Sequence, residues 1–249
     1  MRSKQRQVAR AGERANSAGK PIGNKILLSI SDAEYRRILP HLEFVDLPNH
    51  LSLHEPREKL EFAYFLNRGL VSIVVATQEG RDVEAGVVGS EGVVGTALAV
   101  GLYRSPLREV VQIEGDAFRI TARALQSALQ ATPDLQMRLS RYAVLQGMQV
   151  AQTAACTRLH EVGQRLARWL LMAQDRVDAA TLPITHDFLA TMLGTDRPSV
   201  SLAAGALQKN KAIRYRRATV EIVNRKKLET FACECYQVTQ QLNGDLGLK

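Results

Sequence analysis

Apolar residues recur with three different periods along this chain. From about Glu43 to Ile120, short alternating or β-branched runs such as Leu70–Val75 and Val110–Ile113 are separated by glycine, proline and charged turns. Gly69, Gly80, Gly86, Gly89, Gly92, Gly95, Gly101 and Gly115 punctuate this region. Such spacing predicts many short antiparallel strands closed into a barrel or jelly roll. From about Pro133 to Ala155 the period becomes helical, with apolar residues on two sides: Leu135, Leu139, Tyr142 and Val150 on one, and Met137, Val144, Met148, Ala151 and Ala155 nearly opposite. A helix apolar on both sides needs two burying surfaces. The roll supplies one and a second copy of the chain the other, so residues 133–156 are expected to form a dimerisation helix, with Leu135, Leu139, Tyr142 and Val150 as its dimer residues. The next helix should turn Leu159, Val162, Leu166, Trp169, Leu170 and Ala173 inward, with Arg165 and Arg168 outside.

Leu182 to Val223 reads as two short helices followed by a hairpin. Thr185 can cap the first helix and Asp187 suits its first turn. Phe188, Leu189, Met192 and Leu193 form its buried face, and Gly194 supplies the left-handed residue that ends it. Asp196 caps the second helix, where Pro198 sacrifices no hydrogen bond. Val200, Ala203 and Leu207 should face the first helix, which small Ala190 lets approach closely. This leaves Arg197, Pro198, Ser199, Ser201 and Leu202 outward on the N-terminal half, the part of a recognition helix that enters the DNA major groove. Arg197 can donate two parallel hydrogen bonds to O6 and N7 of guanine, the serines can bond bases or phosphates, and Leu202 suits a thymine methyl. Ile213–Arg216 and Val220–Val223, joined by Arg217-Ala218-Thr219, predict a two-stranded wing without the favoured Asn-Gly turn.

Charge sharpens this picture. The chain has 249 residues and a net charge of +8. Arg197 to Lys227 holds nine Lys or Arg against Glu221 alone, a local +8, and Met1 to Lys20 adds +5, so the remainder is net acidic by about 5. Concentrated charge favours a local anionic partner, with Lys211, Arg214, Arg216 and Arg217 placed for phosphates. The tail lacks apolar periodicity and is expected to be disordered. No apolar run reaches the roughly 18–20 residues needed to span a bilayer, and no signal-peptide core is visible, so a cytoplasmic protein without membrane association is expected. Cys156, Cys233 and Cys235 are too few for a disulfide framework. Cys233 and Cys235 fall in a predicted helix, where residues two apart diverge, making a poor chelate; free thiols and no metal site are expected, with a redox role as the other reading.

The order of these parts, with Arg158-Leu159-His160, the Arg165–Leu171 run RLARWLL, the two helices through Leu207 and the terminal Cys233-Glu234-Cys235-Tyr236, resembles the Crp/Fnr superfamily of bacterial transcription regulators. The resemblance extends over nearly the whole chain after about Asn24. The expected fold class is α+β: an N-terminal antiparallel β-roll of cupin-like jelly-roll type, a long dimerisation helix and a C-terminal winged helix-turn-helix. The expected division is a disordered basic tail (1–23), a cyclic-nucleotide-binding-like sensor roll (24–132), the dimerisation helix (133–156) and the DNA-binding domain (157–249).

The resemblance implies a homodimer on a pseudo-palindromic operator, half-sites about one helical turn apart, in contact with RNA polymerase. It puts Arg197 on the family's base-reading arginine, and Thr185 and His186 where the family touches phosphate. Pro198 stands where many members carry Glu, and Leu202 where they carry a second Arg, so the usual operator is not expected. Members that bind cyclic AMP use a Gly-Glu pair at the ribose and an Arg followed by a small hydroxyl residue at the phosphate. Here the corresponding residues are Gly89, Glu91 and Gly92, then Arg104, Ser105 and Arg108. Glu91 precedes its glycine instead of following it, and Pro106 removes a backbone donor. No N-terminal cysteine cluster of the iron–sulfur type is present. No cofactor or catalytic residue is expected, and the effector is an unknown ligand, another protein, redox state or none.

Two rivals remain. A cupin-like metalloenzyme needs clustered histidines with a carboxylate, whereas His41, His50, His54, His160 and His186 contain no H-x-H pair. An architectural DNA binder without sequence preference would use the same basic surfaces.

Overall fold

The computed structural model describes residues 13–77, 79 and 82–245. The first twelve residues of the expected disordered tail lie outside the described residues. Residues 13–23 correct that expectation, because they pack onto the first helix, α1 (Lys25–Ser29). Arg14 is buried; it donates to the carbonyls of Leu27 and Ile30 and, at 2.6 Å, to Asp32 Oδ1. One guanidinium thus satisfies carbonyls that the helix end leaves orphaned. Ile22 is fully buried beside it. After α2 (Asp32–Ile38) the chain enters the sheet.

The roll comprises β1 (Glu43–Leu47), β2 (Ser52–His54), β3 (Phe62–Ala76), β4 (Asp82–Val88), β5 (Val93–Val94) and β6 (Leu107–Thr121). Its main path runs β1-β6-β3-β4, antiparallel, with β2 on β6 and β5 on β3. β3 and β6 pair from Phe62 with Thr121 to Val75 with Leu107, and their register shifts between Leu66 and Val71. Bulges bend a long antiparallel strand pair that could not otherwise close over a core. Two glycines make this possible: Gly69 adopts φ 92°, and a Cβ on Gly115 would lie 2.1 Å from the Arg68 carbonyl. Phe65 and Phe118 fill the interior.

Three helices follow: α3 (Ala122–Leu129), α4 (Pro133–Leu159) and α5 (Val162–Val177). In α4, Leu135, Leu139 and Tyr142 are buried in this chain's own roll core, and Val150 lies over Gly86. Met137, Val144, Met148, Ala151 and Ala155 are exposed. The two-faced pattern is therefore real, but the assignment of its faces is corrected: Leu135, Leu139, Tyr142 and Val150, expected as the dimer residues, are taken by the chain's own roll, and the Met137–Ala155 stripe is left over. The helix continues to Leu159, which is exposed at its end instead of opening the inner stripe of α5.

α5 lies in a second core between Leu70, Val87 and Ile113 of the roll and the C-terminal elements. Covered on both sides, it buries Arg165, Arg168 and Arg176 as well as its apolar stripe, against the outward placement expected for Arg165 and Arg168. Arg165 donates to the carbonyl of Leu193, a helix-end acceptor without an intrahelical donor. The remaining elements are β7 (Thr181–Leu182), α6 (His186–Leu193), α7 (Arg197–Lys209), β8 (Ile213–Arg216), β9 (Thr219–Ile222), α8 (Arg225–Phe231) and α9 (Cys235–Asp245). β7, β9 and β8 form a small antiparallel sheet in that order. Among the described residues no helix is long and apolar enough to cross a membrane.

Candidate nucleic-acid interface

The local chemistry expected for Thr185 to Leu207 is what folds it. The Thr185 hydroxyl accepts from Phe188 N at 3.1 Å and starts α6; Gly194, at φ 57°, ends it. Asp196 starts α7 by accepting from Ser199 N at 2.8 Å and from the Ser199 hydroxyl at 2.9 Å. Ser199 is thereby turned back to its cap and away from the outer face on which the sequence put it. Val200, Ala204 and Leu207 are buried against α5 and α6, Ala204 taking the inward place expected for Ala203, which is only partly buried.

Arg197, Pro198, Ser201 and Leu202 remain on the surface, Leu202 being 78% exposed. Arg197 Nε lies 3.4 Å from Asp187 Oδ1, with both side chains mostly exposed. Solvent screening makes such a pair worth at most about 1 kcal/mol, so the guanidinium is readily surrendered to a stronger acceptor.

His186 ties three elements together. Its ring stacks on Tyr215 of β8 at 4.0 Å between centroids, and Nδ1 lies 3.0 Å from the Ser201 hydroxyl on α7. Burial, and then the charge of Arg197, lower its pKa against the opposing pull of Asp187, so the ring is neutral at pH 7. Sequence reasoning found His186 but not Tyr215, whose alternation in the strand gave no hint of an aromatic partner.

The wing turn is tighter than expected. Arg217 and Ala218 alone form the loop, at φ 45° and 61°, the mirror-image turn that a twisted hairpin favours and that Asn-Gly usually fills. Lys211 is also left-handed, at φ 57°, just past α7 where glycine is common. Arg216 and Arg217 are exposed, while Arg214 pairs with Glu221 at 2.8 Å. Thr185 at the start of α6, Lys211 just past α7 and Arg214, Arg216 and Arg217 on the β8–β9 hairpin thus belong to one helix–helix–hairpin unit.

The residues expected at an effector pocket do not converge. Glu91 is buried against Arg176 at 2.8 Å, and Gly89 N donates to the same carboxylate. A Cβ on Gly92 would lie 2.0 Å from the Tyr142 hydroxyl, so α4 closes over that loop. Arg108 pairs with Glu55 and Asp82, and the Ser105 hydroxyl accepts from Leu107 N. Arg104 borders an open cleft of about 650 Å³ with His54, Glu58, Lys59 and Tyr64, and donates to the Arg57 carbonyl at 2.6 Å. His54 itself is held by Glu109 and the Phe62 carbonyl, and the roll's histidines form no metal-competent group among the described residues.

The cysteines also depart from expectation. Cys233 precedes α9 and Cys235 is its first residue, so the pair does not diverge within one helix; both thiols are buried against Cys156.

Residues 164–231 match the family model of a Crp-like helix-turn-helix domain. The cAMP-activated global transcriptional regulator CRP of Salmonella typhimurium is 20% identical over 202 residues, spanning 77% of this chain and 95% of that protein. Among solved structures, FixK2 from Bradyrhizobium japonicum is similar with a TM-score of 0.66 at 15% identity, covering 77% of this chain and 98% of the other. The c-di-GMP responsive global regulator CLP of Xanthomonas campestris gives 0.62 at 20% identity, covering 77% and 99%. Those two likenesses show the fold; residues 164–231 match a Crp-like helix-turn-helix domain, and over about three quarters of its length the chain is similar to a CRP-type transcriptional regulator.

Proposed function

We propose that this regulator binds a pseudo-palindromic operator as a homodimer, with half-sites about one helical turn apart and Arg197 reading a guanine in each. The observation that carries the reading is the exposed start of α7, where Arg197, Pro198, Ser201 and Leu202 stand beside a wing bearing Arg214, Arg216 and Arg217. Thr185 and Lys211 join the wing in holding phosphates, while His186, with Nδ1 on the Ser201 hydroxyl and its ring stacked on Tyr215, positions the start of α6 against α7 and the wing instead of touching a phosphate itself. Ser199 acts through its cap instead of through a base. Without the usual Glu after Arg197 and with Leu202 further along, the operator differs from that of members that carry those residues.

Two copies pair through the exposed stripe of α4, Met137, Val144 and Met148, supported by the burial of the opposite face in the roll. The protein acts in the cytoplasm and reaches transcription through RNA polymerase. Cyclic AMP is not its effector: Glu91 and Arg108 already hold internal ion pairs, and Tyr142 fills the space over Gly92.

Selection from a random duplex pool with ligand-free protein at near-physiological salt tests this reading. An enriched inverted repeat is expected. Salt-sensitive binding without enrichment, both alone and with cell extract added, would favour the architectural reading instead.

A further inference from the structure

Cys156, in the last turn of α4, is fully buried, and Cys233 and Cys235 reach it from the far end of the chain. Cys156 Sγ lies 3.5 Å from Cys233 Sγ. Cys235 Sγ lies 3.6 Å from Nδ1 of His160, the residue that caps the end of α4. All four donor atoms lie within 4.8 Å of one another. A tetrahedral zinc site, with Zn–S about 2.3 Å and Zn–N about 2.0 Å, separates its donors by roughly 3.5–3.8 Å. Two of the edges are therefore already at length, and the longest needs to contract by about 1 Å to reach that range. A polynuclear iron–sulfur cluster would need its ligand sulfurs farther apart, so the cage is sized for a single ion.

The surroundings suit a metal as well as the donors do. His160 Nε2 lies 3.1 Å from Glu234 Oε1, the carboxylate partner that leaves Nδ1 as the lone-pair nitrogen aimed at the thiols. Gln152 Nε2 lies 3.0 Å from Cys235 Sγ, as a donor to a thiolate would. Arg165 and Arg168 are buried nearby, where each interacts electrostatically with Cys156. Three neutral thiols do nothing to balance two buried cations. Three thiolates, one imidazole and a divalent ion carry a net charge of −1, which does.

We propose that Cys156, His160, Cys233 and Cys235 bind one zinc(II) ion through three thiolates and one imidazole. Each thiol gives its proton to the buffer as its sulfur takes the metal, and no electron changes hands. Soft thiolate donors select zinc over magnesium or calcium. The ion joins the end of α4, the residue linking it to α5, and the start of α9. It therefore clamps the C-terminal helix onto the joint between the helix carrying the exposed apolar stripe and the DNA-binding domain.

The test is the metal content of the full chain, purified without chelator or metal-binding tag, together with its cobalt(II)-substituted spectrum. About one zinc per chain is expected. Cobalt should give intense visible bands of a tetrahedral site with thiolate charge transfer. Cys156→Ser and Cys235→Ser should each lose the zinc, and Glu234→Gln should weaken its affinity by roughly 10-fold or more. Should the cysteine variants fail to fold, the unsubstituted protein's cobalt spectrum and the Glu234→Gln titration still decide. A folded, zinc-free chain with three titratable thiols and no tetrahedral cobalt bands overturns the proposal. So does a Cys156–Cys233 disulfide in metal-free protein, or stoichiometric iron with acid-labile sulfide.

Discussion

The indole N–H of Trp169 donates to Glu84 Oε1 at 2.7 Å, joining α5 to strand β4 of the roll through a carboxylate that is almost wholly buried. The Ser72 hydroxyl bonds the other oxygen, and Arg168 and Arg176 add favourable charge. Burial outweighs all of them and raises the Glu84 pKa to about 7. The folded chain therefore holds this proton more tightly than the unfolded chain does. Its contribution to stability is complete below the ordinary value of 4.5 and is lost as pH rises through about 7.

Between pH 5 and pH 7.5 that loss amounts to about 2 kcal/mol. Urea unfolding at both pH values should show wild-type stability falling by this much more than that of Glu84→Gln, which has no proton to lose. Other titrating groups cancel in the difference. Parallel pH dependences for the two proteins would show that Glu84 titrates normally.

Much of the DNA-binding unit was legible because its determinants are local. Thr185, Gly194 and Asp196 act on backbone groups three or four residues away, and their roles follow from residue type and spacing alone. The roll was legible as strands, but its register was not, since Gly69 and Gly115 matter only once β3 lies against β6. Periodicity gave α4 its two faces, but Leu135, Leu139, Tyr142 and Val150 were assigned to the partner copy when they belong to the roll, because period alone does not say which surface covers which face. Arg165 and Arg168 were misplaced because charge predicts exposure unless a distant partner is known, and the partner of Arg165, the Leu193 carbonyl, is 28 residues away. The cysteines failed for a similar reason: a helix boundary off by two residues turns a diverging pair into a converging one.

Arg197→Ala should lose discrimination at one base position in each half-site by about 1–3 kcal/mol while retaining most affinity for unrelated duplex. Asp187→Ala removes the carboxylate 3.4 Å from that guanidinium and should change affinity by less than about 1 kcal/mol, in the direction of tighter binding. Binding measured on a set of single-base operator variants separates the two. An even loss across all sequences for Arg197→Ala would make it a phosphate contact.

Arg216 and Arg217 should behave differently from Arg197, since phosphate contacts position the protein without reading sequence. Each alanine substitution that removes one phosphate contact should reduce the slope of log affinity against log salt by about 0.9 and weaken specific and nonspecific binding alike. Ala218→Gly supplies a control in the same turn: it relieves a left-handed alanine at φ 61° and leaves the charge unchanged, so the salt slope should stay constant. A slope that does not respond to either arginine would remove the wing from the interface.

Val144 and Met148 are 59% and 49% exposed on a helix whose other face is sealed in the roll, and none of the described residues covers them. In a two-fold pairing the same residues from each copy meet near the axis. Val144→Glu combined with Met148→Glu then places like charges opposite one another in a setting that excludes water, and both repulsion and desolvation oppose association. Neither side chain contributes to the buried cores, so the isolated fold should tolerate the change. Sedimentation should show the wild type near twice 27.5 kDa and the double variant near the single mass, with a preserved cooperative unfolding transition. Affinity for a full inverted repeat should drop toward that for one half-site. A variant that still sediments as a dimer would place the subunit contact on another surface.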